Sequence, residues 1–445
     1  MKNMIKYVKQ TERMLNMTAE NLILKISGGA LDSRFTVLYP DAPIKFIQKR
    51  YTEAIRAFCD IYGDAGEISL FSVPGRSELS GNHTDHNHGC VIAGSIDLDI
   101  IAVARPREDG IIKLKSEGFP EDVVSISDFS SPNPDRFGRS DALIAGVCAG
   151  FSAAGYAVGG FDAYTTSNVL KGSGLSSSAA FEDMVGNILN HMYNDGRVSY
   201  IEISKISQFS ENKFFGKPCG LMDQVACAAG GIVAIDFADP AAPVVNKVDF
   251  DITAAGYCLC IVDTGGNHAD LTADYAAVPA EMKAAASHFG KSCLREVDED
   301  EFIAAIPALR EKCGDRAILR ALHFFEENRR VAYQREALER GALDAYLDTV
   351  VASGRSSFCY LQNVYTTANV AEQGLSLALC LTEKYLSGIN KKSAFRVHGG
   401  GFAGTIQAYV PAENVDGFKA LMDSTFGDGA CAVLHIRPEG AIKLI

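Results

Sequence analysis

The sequence predicts a mixed α/β protein of two lobes with a cleft between them. Three observations lead to this prediction: a helical apolar pattern over 44–62, short β-type runs after residue 67, and a second mixed region that begins near residue 257. The chain has 445 residues, of which 47% are hydrophobic. Because domains typically contain roughly 100–200 residues, two or three domains with sizeable cores are expected.

The elements are assigned in chain order. Apolar residues at helical spacing predict a helix over 44–62. Short apolar runs bounded by Gly, Pro, Asn and Asp predict strands at 68–73, 89–92, 99–104 and 111–114. Later segments predict a buried strand at 258–262, long helices over 307–347, and strands at 404–410 and 432–436. These shifts in pattern divide the chain into an N-terminal extension at 1–40, an N-terminal domain at 41–250 and a C-terminal domain at 251–445.

Composition excludes several classes of partner. The formal net charge of −13 argues against a general nucleic-acid binder, so no nucleic acid is expected as a partner. No stretch approaches the ~18 apolar residues of a membrane span, and no secretory-type apolar block follows the first residues, which predicts a cytoplasmic protein without a membrane partner. The twelve cysteines contain no CxxC pair and are interpreted as reduced thiols. The oligomeric state is not fixed, and a monomer is compatible with the sequence.

A loop of glycines and serines precedes a predicted helix near residue 177. Such a loop leaves backbone N–H groups unpaired at the positive end of the helix dipole, which favours phosphate binding, and its hydroxyls can contact a metal ion. The alternative is a small-residue turn with a serine N-cap. The loop is neither a Walker A motif nor a dinucleotide fingerprint, because the required glycine and lysine spacings are missing. The candidate residues are Gly172, Ser173, Gly174, Leu175, Ser176, Ser177 and Ser178.

A second polar loop follows the first predicted strand, over 73–89. It combines many donors and acceptors with one arginine, as recognition of a polyhydroxylated ligand requires. Two alternatives remain open: a plain surface turn, or a metal site formed by His83, His86, His88 and Asp85.

A carboxylate near a helix start forms a third candidate feature. Asp223 precedes an apolar helical segment, so it is either an N-cap or a group that orients or deprotonates an attacking hydroxyl. Glu211 is then available as a magnesium ligand.

Four segments, in this order, resemble the galactokinase branch of the GHMP small-molecule kinases. The first two are similar to the sugar signature and the ATP loop, and the last two to the catalytic-acid segment and the C-terminal glycine motif. Thr264, His268, Leu271 and Tyr275 also keep the family spacing of a stretch that carries a sugar-contacting tyrosine. The segments are Pro74-Gly75-Arg76 with Gly81-x-His83-Thr84-Asp85, Gly174-Leu175-Ser176-Ser177-Ser178-Ala179, Cys219-Gly220-Leu221-Met222-Asp223-Gln224, and Arg396-Val397-His398-Gly399-Gly400-Gly401-Phe402-Ala403-Gly404.

The resemblance implies a two-lobed α+β fold that binds a sugar and ATP between the lobes and transfers the γ-phosphoryl group to the anomeric hydroxyl. Asp223 would be the catalytic base, with Arg76 beside it, although an aspartate is a weak base at its reference pKa of ~3.9. Ser178 and Glu211 would hold Mg²⁺, and the loop from Gly172 to Ser178 would wrap the ATP phosphates. The residues lining the sugar pocket would be Asn82, His83, Thr84, Asp85, Gly220 and Tyr275.

The chain departs from the family pattern at several positions. Asn82 replaces an acid and His86 an aromatic tyrosine, while Ser77 and Glu78 stand where the signature has Asn and Leu. Val278 and Pro279 stand where relatives usually have Arg. These departures leave galactose as the first expected substrate, and galacturonate or another galactose-like sugar, such as N-acetylgalactosamine or arabinose, as the alternative. A non-catalytic sugar and ATP sensor is a third hypothesis, disfavoured by the intact serine loop.

Overall fold

A computed structural model describes residues 18–127, 131–170, 174–266, 271–367 and 369–445. Two sheets, with helices packed around them, form an α+β architecture. The strands are β1 Ser69–Ser80, β2 Cys90–Arg107, β3 Ile111–Ser116, β4 Glu121–Ser125, β5 Gly160–Ser167, β6 Ile232–Asp236, β7 Val244–Val248, β8 Tyr257–Asp263, β9 Ala394–Val397, β10 Thr405–Pro411, β11 Cys431–Leu434 and β12 Ile442–Lys443.

The helices of the first half cover the large sheet on both faces, and in the second half the helices at 343–356, 374–387 and 415–426 pack against the small sheet. Among the described residues, none of the helices combines the length and apolar character that a membrane crossing requires. The helices are α1 Ala19–Ser27, α2 Asp32–Leu38, α3 Ile44–Tyr62, α4 Ser140–Ala153, α5 Ser177–Tyr193, α6 Tyr200–Ser210, α7 Met222–Ala229, α8 Thr272–Ser287, α9 Glu299–Ala304, α10 Ile306–Lys312, α11 Gly314–Glu339, α12 Leu343–Ser356, α13 Gly374–Ser387 and α14 Val415–Phe426.

The large sheet has eight strands in the order β12-β1-β2-β5-β3-β4, with β6 paired to β2 and β7 paired to β6. Only β3 and β5 pair in parallel within this described sheet. The strands predicted at 89–92 and 99–104 are one continuous strand, β2. Ser95 and Asp97 interrupt its apolar pattern between the two predicted strands. Ser95 is buried and donates to the carbonyl of Ala226, and Asp97 accepts a hydrogen bond from the backbone N–H of His435, so the strand continues through them.

The small sheet is antiparallel, with strand order β11-β8-β10-β9. It contains the segments predicted as strands at 258–262, 404–410 and 432–436. The glycine motif at 399–404 leads into β10 and not into a helix, as predicted from its sequence. The small sheet and the long helices α11 and α12 share a core that includes Leu259, Tyr346 and Tyr409.

The helix predicted over 44–62 is confirmed as α3, with the same bounds. Together with α1 and α2 it covers one face of the large sheet, where Leu22, Phe35 and Phe58 pack against Leu70 and Val103 of the strands. The described part of the predicted N-terminal extension thus contributes to a core of the large sheet. Strand β12 also joins this sheet by pairing with β1, although it lies at the end of the predicted C-terminal domain. The three-part division remains a prediction.

A buried charge network joins these helices to the large sheet and the C-terminal segment. Asp99 is fully buried on β2, and its carboxylate accepts hydrogen bonds from Arg50 of α3 at 2.6 Å and from Arg437 at 3.1 Å. Tyr39 and Ser72 donate to the same carboxylate. Burial alone would raise the pKa of Asp99, but the two arginines outweigh it and hold that pKa below its ordinary value. Asp99 is therefore an ionised centre that three parts of the chain share.

Replacing Asp99 with asparagine tests this network. Loss of one partner leaves buried guanidinium charge uncompensated, so Asp99→Asn is expected to lower the free energy of unfolding at pH 7 by about 3 kcal/mol, measured by urea denaturation. Because the folded-state pKa of Asp99 is depressed, its contribution is present above the unfolded-state pKa and is lost as pH falls through the folded-state value. The difference between parent and variant should therefore shrink in acid.

Asp195→Asn is the matched control. Asp195 is exposed, its ion pair among the described residues is with the exposed Arg197, and asparagine tolerates its positive φ of 52°. This change should leave the unfolding free energy unchanged. Equal stability of the Asp99→Asn variant and the parent would contradict the role assigned to the network.

Candidate active site

The predicted functional segments meet where the large sheet faces the small sheet. The C-terminal half of β1 carries Arg76, and the starts of α5 and α7 lie on one side of it. The glycine motif that precedes β10 lies on the other side, and Asn82 donates to the carbonyl of Gly399 at 2.7 Å. Sequence reasoning placed these segments in one site, and the described residues of all four converge here.

An arginine and an aspartate form the centre of the site. Arg76 is buried, and its Nε and Nη2 atoms lie 2.8 and 2.6 Å from Oδ1 of Asp223. Ser176 donates from its hydroxyl to the other oxygen of Asp223. Burial would raise the pKa of Asp223, but Arg76 and the Ser176 hydroxyl outweigh it and lower that pKa. Asp223 is therefore an ionised acceptor in a pocket with a fixed positive charge beside it.

Asp223 is not an N-cap. It is the second residue of α7, the N-cap position belongs to Leu221, and no side chain caps that helix start. The alternative that Asp223 only caps a helix is therefore wrong. Its carboxylate instead faces Arg76 and Ser176.

The glycine–serine loop opens α5, as its sequence predicts. Of the candidate residues, Gly172 and Ser173 lie outside the described residues, as does His268. Ser176 occupies the N-cap position with a left-handed φ of 63°, but its hydroxyl does not cap the helix, because it donates to Asp223. The backbone N–H of Arg76 donates to the carbonyl of Leu175 at 3.1 Å, and its guanidinium donates to the carbonyl of Gly174. The loop is thus fastened to Arg76, and Ser177 and Ser178 begin the helix.

Glu211 lies beside this helix start. It begins a π-helical turn, Glu211–Phe215, and is 2% exposed. Oε1 of Glu211 accepts a hydrogen bond from the Ser178 hydroxyl at 3.1 Å and faces Nζ of Lys217 at 3.0 Å, while Gln224 donates to Oε2 at 3.0 Å. The predicted metal ligands Ser178 and Glu211 are therefore adjacent.

These two residues offer oxygen donors, which suit a hard cation such as Mg²⁺. In the parts of the chain that the structure describes, no group of three or more His, Cys, Asp or Glu is arranged to hold a metal. In phosphate-transfer sites, Mg²⁺ is typically bound by one or two side chains together with substrate phosphates and water. The ammonium of Lys217 already stands beside Glu211 as a positive group, so the site accepts positive charge.

Sequence reasoning missed three residues around Glu211. They are Glu182, Lys217 and Gln224. Glu182 follows Ser178 by four positions on α5, so helical spacing was the available signal for this residue, whereas no local pattern pointed to Lys217 or Gln224. Burial, followed by Glu211 and Asp183, raises the pKa of Glu182 well above its ordinary value. Oε2 of Glu182 lies 3.4 Å from Nε2 of Gln224, so Gln224 connects the two acids.

The polar loop after β1 supplies most of the predicted sugar residues. Nε2 of His83 lies 2.9 Å from the carbonyl of Gly400, and burial lowers the pKa of His83 to about 4, so its ring is neutral at pH 7. The Thr84 hydroxyl contacts the carbonyls of Gly81 and Cys90, which holds the loop closed. Asp85 caps the N–H of His86 at 2.9 Å.

Gly220 and Tyr275 complete the predicted pocket. A Cβ on Gly220 would overlap the Asp85 carboxylate, so glycine lets the segment 219–224 approach the sugar loop without displacing the Asp85 side chain. The Tyr275 hydroxyl donates to the carbonyl of Gly401 at 2.6 Å, and its ring meets the ring of Phe402 edge to face. Val278, one of the departures from the family pattern, is buried in the core of α8, and Pro279 lies inside that helix.

Asn82 lies in the predicted place, and its side-chain amide is fully hydrogen-bonded to other residues of the chain. Its Nδ2 donates to Gly399 at 2.7 Å and to Glu78 at 3.2 Å, while its Oδ1 accepts from Asn363 at 2.8 Å and Ser357 at 3.3 Å. An amide has two donor and two acceptor positions, so all of them are used. A sugar contact by Asn82 remains a prediction, and it would require the exchange of one of these bonds.

Glu78 explains why an amide suits position 82. Its carboxylate pairs with the buried Arg396 of β9 at 2.7 Å and accepts from Asn82, so an acid at 82 would face a second carboxylate. The departures at 78 and 82 are therefore physically coupled, because the amide at 82 donates a hydrogen bond to the acid at 78. Burial raises the pKa of Glu78, although Arg396 acts in the opposite direction.

Comparison with known protein families agrees with this geometry. The model described as "GHMP kinases N terminal domain" matches residues 142–231, and the "Galactokinase galactose-binding signature" matches residues 56–106. The solved structure of Methanococcus jannaschii mevalonate kinase covers 83% of this chain and 99% of its own, at 14% identity and a TM-score of 0.59, which indicates a shared fold. The chain is a GHMP kinase.

More similar relatives show to which branch of the GHMP kinases this chain belongs. Galactokinase from Streptomyces coelicolor is 30% identical over 376 residues, which span 83% of this chain and 91% of the relative. Human galactokinase is 29% identical over 87% of this chain and 95% of its own. A crystal structure of Lactococcus lactis galactokinase complexed with galactose covers 89% of this chain and all of its own, with a TM-score of 0.74 and 26% identity. This chain belongs to the galactokinase family, and the expected two-lobed α+β fold is confirmed.

The acidic surroundings of Cys219 give a test of the site electrostatics. Burial and the nearby carboxylates of Glu211 and Asp223 raise the pKa of the Cys219 thiol, so little reactive thiolate forms at pH 8. Alkylation by iodoacetamide, followed by mass spectrometry, is expected to label the exposed Cys359 and Cys380 well before Cys219.

The variant Glu211→Gln should speed the labelling of Cys219 and leave that of Cys359 unchanged. This result is expected because Glu211 is the largest charged contributor to the raised pKa of the thiol. Labelling of Cys219 at the rate of the exposed thiols in the parent protein would contradict the arrangement of charges described above.

Proposed function

We propose that the protein is a galactokinase that transfers the γ-phosphoryl group of ATP to the anomeric hydroxyl of galactose and yields the sugar 1-phosphate. The observation that carries this conclusion is the Arg76–Asp223 pair, hydrogen-bonded to the glycine–serine loop. Relatives over most of the chain are galactokinases, one of them crystallised with galactose, and the galactose-binding signature matches 56–106. The protein is therefore a phosphotransferase with an alcohol acceptor.

The chemistry assigned to Asp223 and Arg76 follows from their charges. Phosphoryl transfer depends on positioning and on neutralisation of negative charge more than on covalent catalysis. Asp223 is ionised and therefore accepts a hydrogen bond from the attacking hydroxyl, which fixes the orientation of that hydroxyl. As the bond from the sugar oxygen to the γ-phosphorus forms, the bond from this phosphorus to the β-phosphate oxygen breaks, ADP leaves, and Asp223 receives the proton of the hydroxyl. Arg76 lies within hydrogen-bonding distance of Asp223 and places a permanent positive charge beside the transferring phosphoryl group.

The loop that opens α5 is proposed to bind the nucleotide. Its candidates are Gly172, Ser173, Gly174, Leu175, Ser176, Ser177 and Ser178, and the positive end of the α5 dipole favours phosphate there. Ser178 and Glu211 fit the bound Mg²⁺ that the proposal requires, which would neutralise phosphate charge. Ser176 holds Asp223 in place with its hydroxyl, so the loop also orients the aspartate.

The sugar is proposed to lie against Asn82, His83, Thr84, Asp85, Gly220 and Tyr275. The engaged amide of Asn82 weakens the argument for galacturonate, because that argument needed a free amide to meet a 6-carboxylate. The neutral His83 likewise offers no positive charge to a sugar acid. We therefore place galactose first and keep galacturonate, N-acetylgalactosamine and arabinose as alternatives. A sensor without catalysis is disfavoured because Arg76, Asp223 and Ser176 are joined in one arrangement.

A cytoplasmic location is part of the proposal. All twelve cysteines lie in the described ranges, and the structure leaves each of them free of a disulfide. A reducing compartment suits such a set of thiols.

A panel of sugars tests the proposed substrate. The purified protein with ATP and Mg²⁺ is offered galactose, N-acetylgalactosamine, galacturonate, glucose and arabinose, and ATP consumption is followed while NMR identifies the product. Galactose is expected to give the highest kcat/KM and a 1-phosphate product. Turnover of galacturonate alone would transfer the proposal to the sugar acids, and absence of turnover with every sugar would favour the sensor hypothesis.

The variant Asp223→Asn tests the proposed role of the aspartate. The amide keeps the shape and size of Asp223 but cannot accept the proton of the attacking hydroxyl, so kcat is expected to fall about 10²–10⁴-fold. The affinity for ATP, measured by calorimetry, should change far less, since Asp223 contacts the acceptor side. Asp195→Asn serves as the exposed control, and turnover by Asp223→Asn equal to that of the parent would show that the assigned role is wrong.

A further inference from the structure

A lysine stands at the position where a cation would bind Glu211. Nζ of Lys217 lies 3.0 Å from Oε1 of Glu211, and the Ser178 hydroxyl contacts the same oxygen at 3.1 Å. The two groups that would hold a metal ion are therefore already joined by a positive group of the protein. Among the described residues this lysine pairs with Glu211 and not with Asp223, although its charge also helps to lower the pKa of Asp223.

The local backbone aims Lys217 at this position. The π-helical turn Glu211–Phe215 ends at Gly216, whose φ of 80° reverses the chain. The N–H of Lys217 then donates to the carbonyl of Glu211 at 3.1 Å, which fixes the start of the side chain beside the carboxylate it contacts. This backbone bond is independent of the ion pair, so the turn would keep Lys217 near Glu211 if the pair were broken.

The side chain of Lys217 is much less constrained than the carboxylate of Glu211. Glu211 is 2% exposed and is held by Ser178 and Gln224, whereas the side chain of Lys217 is 61% exposed. A lysine has a long flexible stem with a compact charge at its end. The ammonium group is thus able to leave Glu211 and reach the neighbouring space, while the carboxylate stays fixed.

The surrounding charges explain why a positive group is needed there. Glu211 and Asp223 both lie beside the start of α5, and Glu182 is connected to Glu211 through Gln224. A nucleotide that enters the site adds further negative charge. Arg76 contacts Asp223 and not Glu211, so among the described residues Lys217 is the positive side chain in direct contact with Glu211.

We propose that Lys217 is a tethered counter-ion, which holds the place of the metal on Glu211 and turns to the phosphates of ATP when a divalent cation takes that carboxylate. This inference rests on the proposed function, because it assumes that ATP binds beside Ser178 and Glu211. It adds a nucleotide-contacting residue to the loop and a competition between the lysine and the metal for one oxygen atom.

Two opposite effects follow for the variant Lys217→Met. The change removes the competitor for Glu211, so the Mg²⁺ concentration that gives half-maximal tightening of ATP binding should fall. It also removes the positive charge that balances Glu211 when no metal is present, so ATP in EDTA should meet an uncompensated carboxylate and bind about fivefold more weakly than to the parent, the size expected for a partly exposed charge pair. A purely structural role of Lys217 would not produce shifts of opposite sign.

Isothermal titration calorimetry with ATP, without sugar, measures both quantities in the full-length protein. Titrations in EDTA give the metal-free affinity, and a series of Mg²⁺ concentrations gives the metal dependence. Lys217→Arg should keep the metal-free affinity of the parent, because it keeps the positive charge. Lys213→Met is the matched control: Lys213 is an exposed lysine in the preceding turn, and this variant should leave both quantities unchanged.

The possible failures are distinguishable. If the parent binds no ATP with or without Mg²⁺, the proposed function fails. If the parent binds ATP normally and Lys217→Met changes neither its metal-free affinity nor its Mg²⁺ dependence, the role of Lys217 is wrong while the proposed function stands. A loss of thermal stability shared by Lys217→Met and Lys217→Arg would point to a structural role and would also overturn the inference.

Discussion

The buried ion pair between Glu78 and Arg396 is the contact on which the meeting of the two sheets depends. Arg396 lies on β9 of the small sheet and contacts both the carboxylate and the carbonyl oxygen of Glu78 on β1 of the large sheet. Gln407, on β10, donates to the same carbonyl at 2.9 Å. Buried ion pairs add little net stability, but they penalise every arrangement that separates the partners. This pair therefore fixes Arg76, two residues before Glu78, relative to the glycine motif.

The elements predicted well are those whose pattern is local. The helix over 44–62 has its predicted bounds because its apolar residues repeat at helical spacing. The division of β2 into two strands failed for the opposite reason. Ser95 and Asp97 resemble turn residues in the sequence, but their partners Ala226 and His435 come from distant segments, which no local pattern reveals. The same holds for β12, which is too short to have a pattern of its own.

The centre of the site was predictable because its motifs keep their order and spacing. Arg76, Asp223, Ser178 and Glu211 were named from the sequence, and the structure brings them together. The sequence did not reveal which partner each polar side-chain atom contacts. From the sequence, Asn82 is a free amide that could bind a ligand, but in the structure it is hydrogen-bonded to Asn363 and Gly399. Lys217 is an ordinary surface lysine in the sequence, but the turn at Gly216 places it beside Glu211.

Strand β12 makes completion of the large sheet a late step in the synthesis of the chain. It pairs with Phe71 and Ser72 in β1, and the next residues, Leu444 and Ile445, exchange backbone bonds with Leu70. During synthesis β1 emerges long before these partners exist, and until then its outer edge carries unpaired N–H and C=O groups. The large sheet therefore cannot be completed while only the first lobe has been synthesised. A nascent chain halted before residue 442 presents an open edge on the very strand that carries Arg76, where chaperones and strand-mediated association would compete for it.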